Sequence, residues 1–174
     1  MNKQISKIEN VSIYFINLLN ISIEDELTMT RMLQELEVIE HLNSFDLCII
    51  GGGGFLDYWV PDSKTGTTID IDPKLLSNIR ITTLFTSIGC NPHKEIPEGN
   101  IEKFRNFLDE VNKNKNIKIA VRNDGSVESI KRDIGEKYLE NIEEILDNGF
   151  FYNDDNIYPK IINKKYIAIN ITND

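Results

Sequence analysis

The chain has 174 residues, of which 40% are hydrophobic and 27% charged, and its formal net charge at neutral pH is −9. This length and composition fit one globular domain, or one domain with an attached fragment, large enough to enclose a hydrophobic core. The acidic balance argues against nucleic-acid binding, because no basic stripe is present to neutralise phosphates. No stretch reaches the length of a membrane span and no signal-peptide pattern opens the chain, so we expect a cytoplasmic protein.

Few side chains are available for metal or redox chemistry. Cys48 and Cys90 both lie in apolar surroundings, which favours reduced, buried thiols over a disulfide or a metal site. His41 and His93 are the two histidines, so a zinc site would have to be completed by carboxylates. We therefore predict no metal and no cofactor.

The N-terminal third predicts a strand, a helix and a second strand. Residues 11–19 are rich in β-branched and aromatic side chains, which is typical of a strand. Ser22 and Asp25 resemble a capping box, and the apolar residues that follow recur at helical spacing as far as Leu42. Residues 46–50 form a short continuous apolar run, which predicts a strand buried on both faces of a parallel sheet.

The rest of the chain continues the alternation of strands and helices. Apolar runs predict strands at 79–89, 117–121 and 165–171, and Asp70 and Asp72 alternate with isoleucines as in a strand with one solvated face. Residues 101–114 have the single apolar stripe of an amphipathic helix. A second helix is predicted from Ser126, as its N-cap, to Gly135 at its C-terminal end.

This alternation predicts an α/β fold, a Rossmann-like three-layer parallel sheet with helices on both faces. The carboxyl ends of parallel strands gather at one edge of a sheet, and ligands bind in the crevice beyond them. Three strands end there in unusual loops, at 51–54, 89–92 and 122–126. These loops are the candidate site.

The glycine run at 51–54 fits a backbone cradle for an anion, or a tight turn in which backbone packs against backbone. The two familiar phosphate motifs are absent from it. A P-loop would end in Gly-Lys-Ser or Gly-Lys-Thr, and Phe55 follows the run instead. A dinucleotide fingerprint needs a third glycine where Leu56 or Asp57 stands. The glycines mark the sheet edge without identifying the ligand.

The order of the three loops resembles the polysaccharide pyruvyl transferase family. The segments that carry the resemblance are FDLCIIGGGGFLD, LFTSIGCNP and IKIAVRNDGSVESIKRDIG. The last is the most specific, since Arg122 ends a strand and Ser126 opens a helix that closes at Gly135. Asp147 stands where the family often has a Pro-Asp-Pro-like turn, without either proline. The resemblance covers about residues 44–174.

The resemblance implies an enzyme that transfers the pyruvyl group of phosphoenolpyruvate, as a ketal, to a sugar of a cell-surface or extracellular polysaccharide. It implies a two-domain GT-B-type architecture of which residues 1–164 form the Rossmann-like N-terminal domain and 165–174 the first strand of a second domain. That second domain, which would carry the basic and histidine residues that engage phosphoenolpyruvate, is absent from the chain, so we expect the chain alone to be inactive. The sugar acceptor would be lipid-linked or nucleotide-linked, with peripheral membrane association compatible with the former.

The reaction requires a general acid and groups that bind both substrates. Asp124 and His93 are the predicted catalytic residues. The predicted substrate-binding residues are Gly51, Gly52, Gly53, Gly54, Asn91, Arg122 and Ser126. Ser126 has an alternative role as a helix N-cap and Arg122 as a structural partner of Asp124, while Asp57 and Trp59 are candidates for lining an acceptor groove.

Two other functions fit the same pattern. A glycosyltransferase with a nucleotide-sugar donor would use the same two-domain plan and release nucleoside diphosphate without responding to phosphoenolpyruvate. A non-catalytic Rossmann-like module would hold a nucleotide-sugar or a partner protein and turn over neither.

Overall fold

The computed structural model describes residues 28–151, and the side chains of residues 35–151. Several predictions lie outside these residues: the strands at 11–19 and 165–171, the capping box at Ser22, and the domain boundary at residue 164. Among the described helices, none combines the length and the apolar character needed to cross a membrane.

The described elements alternate as the sequence predicts. The strands are β1 (Leu47–Gly51), β2 (Thr82–Ile88), β3 (Ile117–Arg122) and β4 (Ile142–Ile145). The helices are α1 (Thr28–Leu42), α2 (Asn100–Lys113) and α3 (Ser126–Ser129), and α3 continues into a π-helical turn, Ile130–Ile134. Three short 3₁₀ helices cover Pro73–Asn78, Glu136–Asn141 and Asn148–Phe151.

All four strands are parallel and lie in the order β1-β2-β3-β4. The prediction of an α/β, Rossmann-like fold is confirmed. Gly51 pairs with Thr86, Thr86 with Ala120, and Arg122 with Ile145, so the four carboxyl ends lie at one edge of the sheet. The glycine run, the loop after β2 and the loop after β3 therefore begin side by side.

The hydrophobic core lies against one face of the sheet. Phe85, Ile119 and Val121 point into it from β2 and β3, and Phe104 and Phe107 enter it from α2. The apolar stripe of α2 was predicted, and its burial is the main reason that this helix forms.

The prediction that β1 is buried on both faces is wrong for the described residues. Leu47 is 49% exposed and Ile49 is 36% exposed. Their face of the sheet continues through Leu84 to Lys118, which is exposed. β1 is the edge strand of the described sheet, so it has a neighbour on one side only.

Two further differences concern short segments. Asp70 and Asp72 do not lie in a strand: Asp72 caps the 3₁₀ helix Pro73–Asn78 by accepting a hydrogen bond from the Lys74 N–H at 3.0 Å. Asp70 accepts one from the Lys64 N–H at 2.9 Å, which folds the segment back on itself. β4 was not predicted, because its four residues include two exposed glutamates and give too short an apolar signal.

A buried asparagine fixes the segment that follows the glycine run. The side chain of Asn100, at the start of α2, donates from Nδ2 to the carbonyls of Tyr58, Val60 and Gly66 at 3.2, 2.9 and 3.2 Å. Tyr58 and Gly66 are buried and Val60 is half-buried, and the Gly66 carbonyl also accepts from the Val60 N–H at 3.2 Å, so the Asn100 amide completes the bonding of carbonyls that water reaches poorly. Asn100 thereby ties the loop beyond the sheet edge to the helical layer.

Candidate functional site

The glycine run turns sharply where β1 ends. Gly52 and Gly53 have φ angles of +82° and +71°, which residues with a Cβ rarely adopt. The turn brings the Gly53 carbonyl to the N–H of Gly89 at 2.8 Å, and the Gly89 carbonyl accepts from the Leu56 N–H at 3.1 Å. The loops after β1 and β2 are thus joined by their backbones.

Gly54 makes room for a carboxylate. The N–H of Asp57 donates to the Gly54 carbonyl at 3.1 Å, and the Asp57 side chain folds back over Gly54 so closely that a Cβ there would overlap Oδ2. The run therefore has the geometry of the tight turn, one of its two predicted roles, with positive φ at two positions and close approach at a third.

Asp57 is a buried carboxylate at the sheet edge. Its Oδ1 accepts from the Asn91 N–H at 2.7 Å, and its Oδ2 lies 4.0 Å from His93 Nε2. Burial raises the pKa of Asp57 above its ordinary value, and Asp124 adds to the rise, while the Asn91 N–H, His93 and Arg122 oppose it. A carboxyl group balanced in this way can exchange protons or accept strong hydrogen bonds.

Arg122 reaches across the ends of the strands. Its Nε donates to Asp124 Oδ2 at 2.9 Å, and its Nη1 lies 3.6 Å from Asp147 Oδ2. Its Nη2 packs directly on Gly89, where a Cβ would overlap it. The alternative in which Arg122 is a partner of Asp124 is therefore realised, and Asp147 joins the pair.

Ser126 connects the loops after β2 and β3. Its Oγ accepts from the Cys90 N–H at 2.8 Å and donates to Asp124 Oδ1 at 2.5 Å. The prediction that Ser126 is an N-cap is wrong: the N-cap is Gly125, with φ of +93°, and Ser126 is the first helical residue. Its hydroxyl bonds across to another loop because the turn at Gly125 points it toward Cys90.

The loop after β2 also carries Asn91 and His93. The Asn91 Oδ1 accepts a hydrogen bond from Ser129 Oγ at 3.2 Å, which ties this loop to α3, whereas the Asn91 backbone N–H donates to Asp57. His93 is 60% exposed and faces solvent beside Asp57. Next to it, the Lys94 ammonium lies 4.0 Å from the centre of the Trp59 ring, a cation–π contact.

The sequence did not predict that a bulge in β2 and the loop after β4 contribute to the candidate site. Ser87, in a register shift between Thr86 and Ile88, has φ of +56° and is buried, and its Oγ accepts from the Asn148 N–H at 2.9 Å. That bond brings the residue after Asp147 to the edge. A serine inside an apolar strand does not indicate a bulge. An acidic residue directly after a strand, such as Asp147, does indicate a candidate site residue.

Bonds or close packing at one edge hold most of the predicted site residues: Gly51, Gly53, Gly54, Asn91, Arg122, Asp124 and Ser126. Gly52 contributes the positive φ of the turn, and His93 borders the edge. The described contacts place three carboxylates there, Asp57, Asp124 and Asp147, against one guanidinium that two of them already engage. Among the described residues, no group of three or more histidine, cysteine, aspartate or glutamate side chains is arranged to hold a metal ion. Cys90 is fully buried behind the edge, and burial raises the pKa of its thiol well above the ordinary value.

Comparisons of the chain with protein-family models, with curated proteins and with solved structures found no match.

Proposed function

We propose that this chain supplies the acceptor side of a pyruvyl transferase that moves the pyruvyl group of phosphoenolpyruvate, as a ketal, to a sugar of a cell-surface or extracellular polysaccharide. The proposal is supported by the resemblance of three loops to that family. It is carried by one observation: those loops are bonded to one another at the sheet edge, through Gly53 with Gly89 and through Cys90 with Ser126.

The charges at the edge favour a sugar over an anion as its ligand. Asp124 and Asp147 are 36% and 45% exposed, and carboxylate oxygens accept hydrogen bonds from neutral hydroxyls, whereas they repel phosphate and carboxylate groups. Arg122 is paired with both of them, so it balances their charge instead of presenting a free cation. Phosphoenolpyruvate, which carries both a phosphate and a carboxylate, would need cationic groups beyond those at this edge.

In this account the edge binds and orients the sugar. Asp124 is bonded to Arg122 through Oδ2 and to Ser126 through Oδ1, which fixes the direction of its remaining lone pairs toward an acceptor hydroxyl. The amides of Gly52, Gly53 and Gly54 form the floor, and Asn91 holds the loop that carries His93. His93, the exposed imidazole, is the residue placed to move a proton to or from the reacting groups.

An activity assay on the full-length protein tests the proposal. Phosphoenolpyruvate is supplied with nucleotide-linked and lipid-linked sugars, and two products are followed, inorganic phosphate and a sugar whose mass has risen by pyruvate less water. We expect both to appear together and only when both substrates are present. Release of nucleoside diphosphate with no response to phosphoenolpyruvate would replace the proposal with a glycosyltransferase. Binding of a nucleotide-sugar without any product would replace it with a non-catalytic module.

A further inference from the structure

Two short segments lie side by side at the mouth of the candidate site. Residues 56–59 follow the glycine run, and residues 90–94 follow β2. Two hydrogen bonds join them, from Cys90 Sγ to the Leu56 carbonyl at 3.4 Å and from the Asn91 N–H to Asp57. Further along, His93 lies beside Asp57, and the Lys94 ammonium lies over the Trp59 ring. We name this pair of segments the clasp. It holds the exposed His93 against a buried acid.

The two oxygens of Asp57 have different surroundings. Oδ1 is fixed by the short bond from the Asn91 N–H, which prevents the carboxylate from rotating away. Oδ2 faces His93 Nε2 at 4.0 Å. The Asp57 side chain is only 9% exposed, so a bulky sugar cannot reach it, whereas His93 is 60% exposed. Asp57 therefore acts on a substrate through the histidine.

We infer that Asp57 is a positioning residue for His93, and that this pair performs the proton transfers of the first step of the proposed reaction. The inference rests on the proposed function. Of the two predicted catalytic residues it selects His93, because both oxygens of Asp124 are already engaged by Arg122 and Ser126. The buried carboxylate faces Nε2 of the imidazole at 4.0 Å, which leaves Nδ1 for the substrate.

The first step balances with this pair alone. Protonated His93 gives its Nδ1 proton to C3 of phosphoenolpyruvate, the C2=C3 π bond supplies the electrons for the new C–H bond, and positive charge develops at C2. The acceptor hydroxyl oxygen then bonds to C2, and its proton returns to Nδ1 of His93. The second hydroxyl oxygen later bonds to C2 as the C2–O bond to phosphate breaks, and the departing phosphate takes both the bonding electrons and the proton of that hydroxyl.

The contact itself is tested by NMR titration of the Asp57 side-chain carboxyl carbon. The charged and titratable groups that face Asp57 are His93, Arg122 and Asp124, with Cys90 behind it. Because His93 holds the pKa of Asp57 down, His93→Gln should raise that pKa further. Lys94→Gln is the matched control, since it removes the neighbouring charge on the same loop, where the ammonium lies over Trp59. An equal rise in both variants, or no rise in His93→Gln, overturns the positioning role.

The chemical role is tested on the full-length protein with phosphoenolpyruvate and sugar. We expect Asp57→Asn and His93→Gln each to lower kcat/KM by about 10²–10⁴-fold, and the double variant to lose no more than the worse single one, because the two residues act as a unit. Asp46→Asn, which removes an exposed carboxylate just before β1, at the opposite end of that strand from the clasp, should keep wild-type activity.

The failures of the two proposals are distinguishable. If wild-type protein makes no ketal, the proposed function and the proton-transfer step both fall, whatever the titration shows. If ketal forms and Asp57→Asn or His93→Gln retains wild-type kcat/KM, the proposed function stands and the assignment to this pair is overturned. If the double variant lowers kcat/KM by the product of the two single-variant factors, the pair is also overturned, because the residues would then act independently.

Discussion

The Arg122 guanidinium occupies the space that a side chain on Gly89 would need. Its Nη2 packs on the Gly89 backbone, and the Gly54 Cα would lie 3.3 Å from a Cβ at the same place. One glycine in the loop after β2 thus makes room for the arginine of β3 and for the loop after β1. Gly89 is therefore the position at which the three loops of the site converge.

Gly89→Ala should destabilise the fold and displace Arg122 from Asp124 and Asp147. The overlap is with the flexible end of the Arg122 side chain, so the cost is that of the displaced, partly exposed ion pairs, about 0.5–1 kcal/mol in unfolding free energy, which urea denaturation measures. Gly51→Ala is the control, since it adds a Cβ at the same edge that meets Thr86 at an ordinary contact distance of 3.4 Å. If both variants are equally stable, Arg122 does not hold this place in solution.

Asn100→Ala should be among the most damaging substitutions of a polar residue in α2. It leaves the carbonyls of Tyr58, Val60 and Gly66 without the Nδ2 donor, at a cost of about 1–3 kcal/mol in unfolding free energy. Asn106→Ala, at an exposed position of the same helix, should change the unfolding free energy by no more than about 0.5 kcal/mol. Comparable losses in the two variants would show that the buried bonds do not secure the loop.

Tyr58→Phe should cost more stability than Tyr138→Phe. The Tyr58 hydroxyl is buried and donates to Asp133 Oδ2 at 2.5 Å, whereas the Tyr138 hydroxyl donates to Asp109 at 3.3 Å. Burial and the Asp133 carboxylate raise the pKa of Tyr58, so it stays a donor across the accessible pH range. A hydrogen bond to a charged group contributes about 1.5–3 kcal/mol, and thermal or urea unfolding of the two variants gives the difference.

Asp57→Asn should change how stability depends on pH. Because the pKa of Asp57 in the folded chain lies above its ordinary value of 3.8, the folded state holds a proton that the unfolded state has lost. The unfolding free energy of the wild type should therefore fall, relative to Asp57→Asn, as pH rises from 3.8 through the raised pKa, and the difference should then level off. Each unit of pKa difference corresponds to about 1.4 kcal/mol. Urea unfolding of both proteins across this range measures it, with Asp46→Asn as the exposed control. A difference that grows in the opposite direction would mean that Asp57 is stabilised as a carboxylate.

The sequence was sufficient for the fold class and for bringing the three candidate loops to one edge of the sheet, because apolar runs and glycine-rich loops are local signals. It placed Gly54, Arg122 and Asp124 at one edge through the parallel-strand rule alone. It could not show that Asp57 folds back over Gly54, that Ser126 bonds to the Cys90 N–H, or that β1 leaves Leu47 exposed. The Asp57 carboxylate is fixed over Gly54 by Asn91, 34 residues further on, and Ser126 and Cys90 are 36 residues apart, while the exposure of Leu47 depends on where β1 lies in the sheet. None of these leaves a periodic signal in the chain.

The central claim is that the loops after the strands form one sugar-binding edge. The most direct measurement is an NMR titration of the ¹⁵N-labelled chain with the uncharged sugars methyl glucoside and methyl N-acetylglucosaminide and with phosphoenolpyruvate, in separate samples. A sugar should shift the amides of residues 51–54, 89–93 and 122–126 together, and phosphoenolpyruvate should shift them far less, because carboxylates line the edge. Shifts that fall outside these loops for the sugars, or a stronger response of the same amides to phosphoenolpyruvate, would contradict the account.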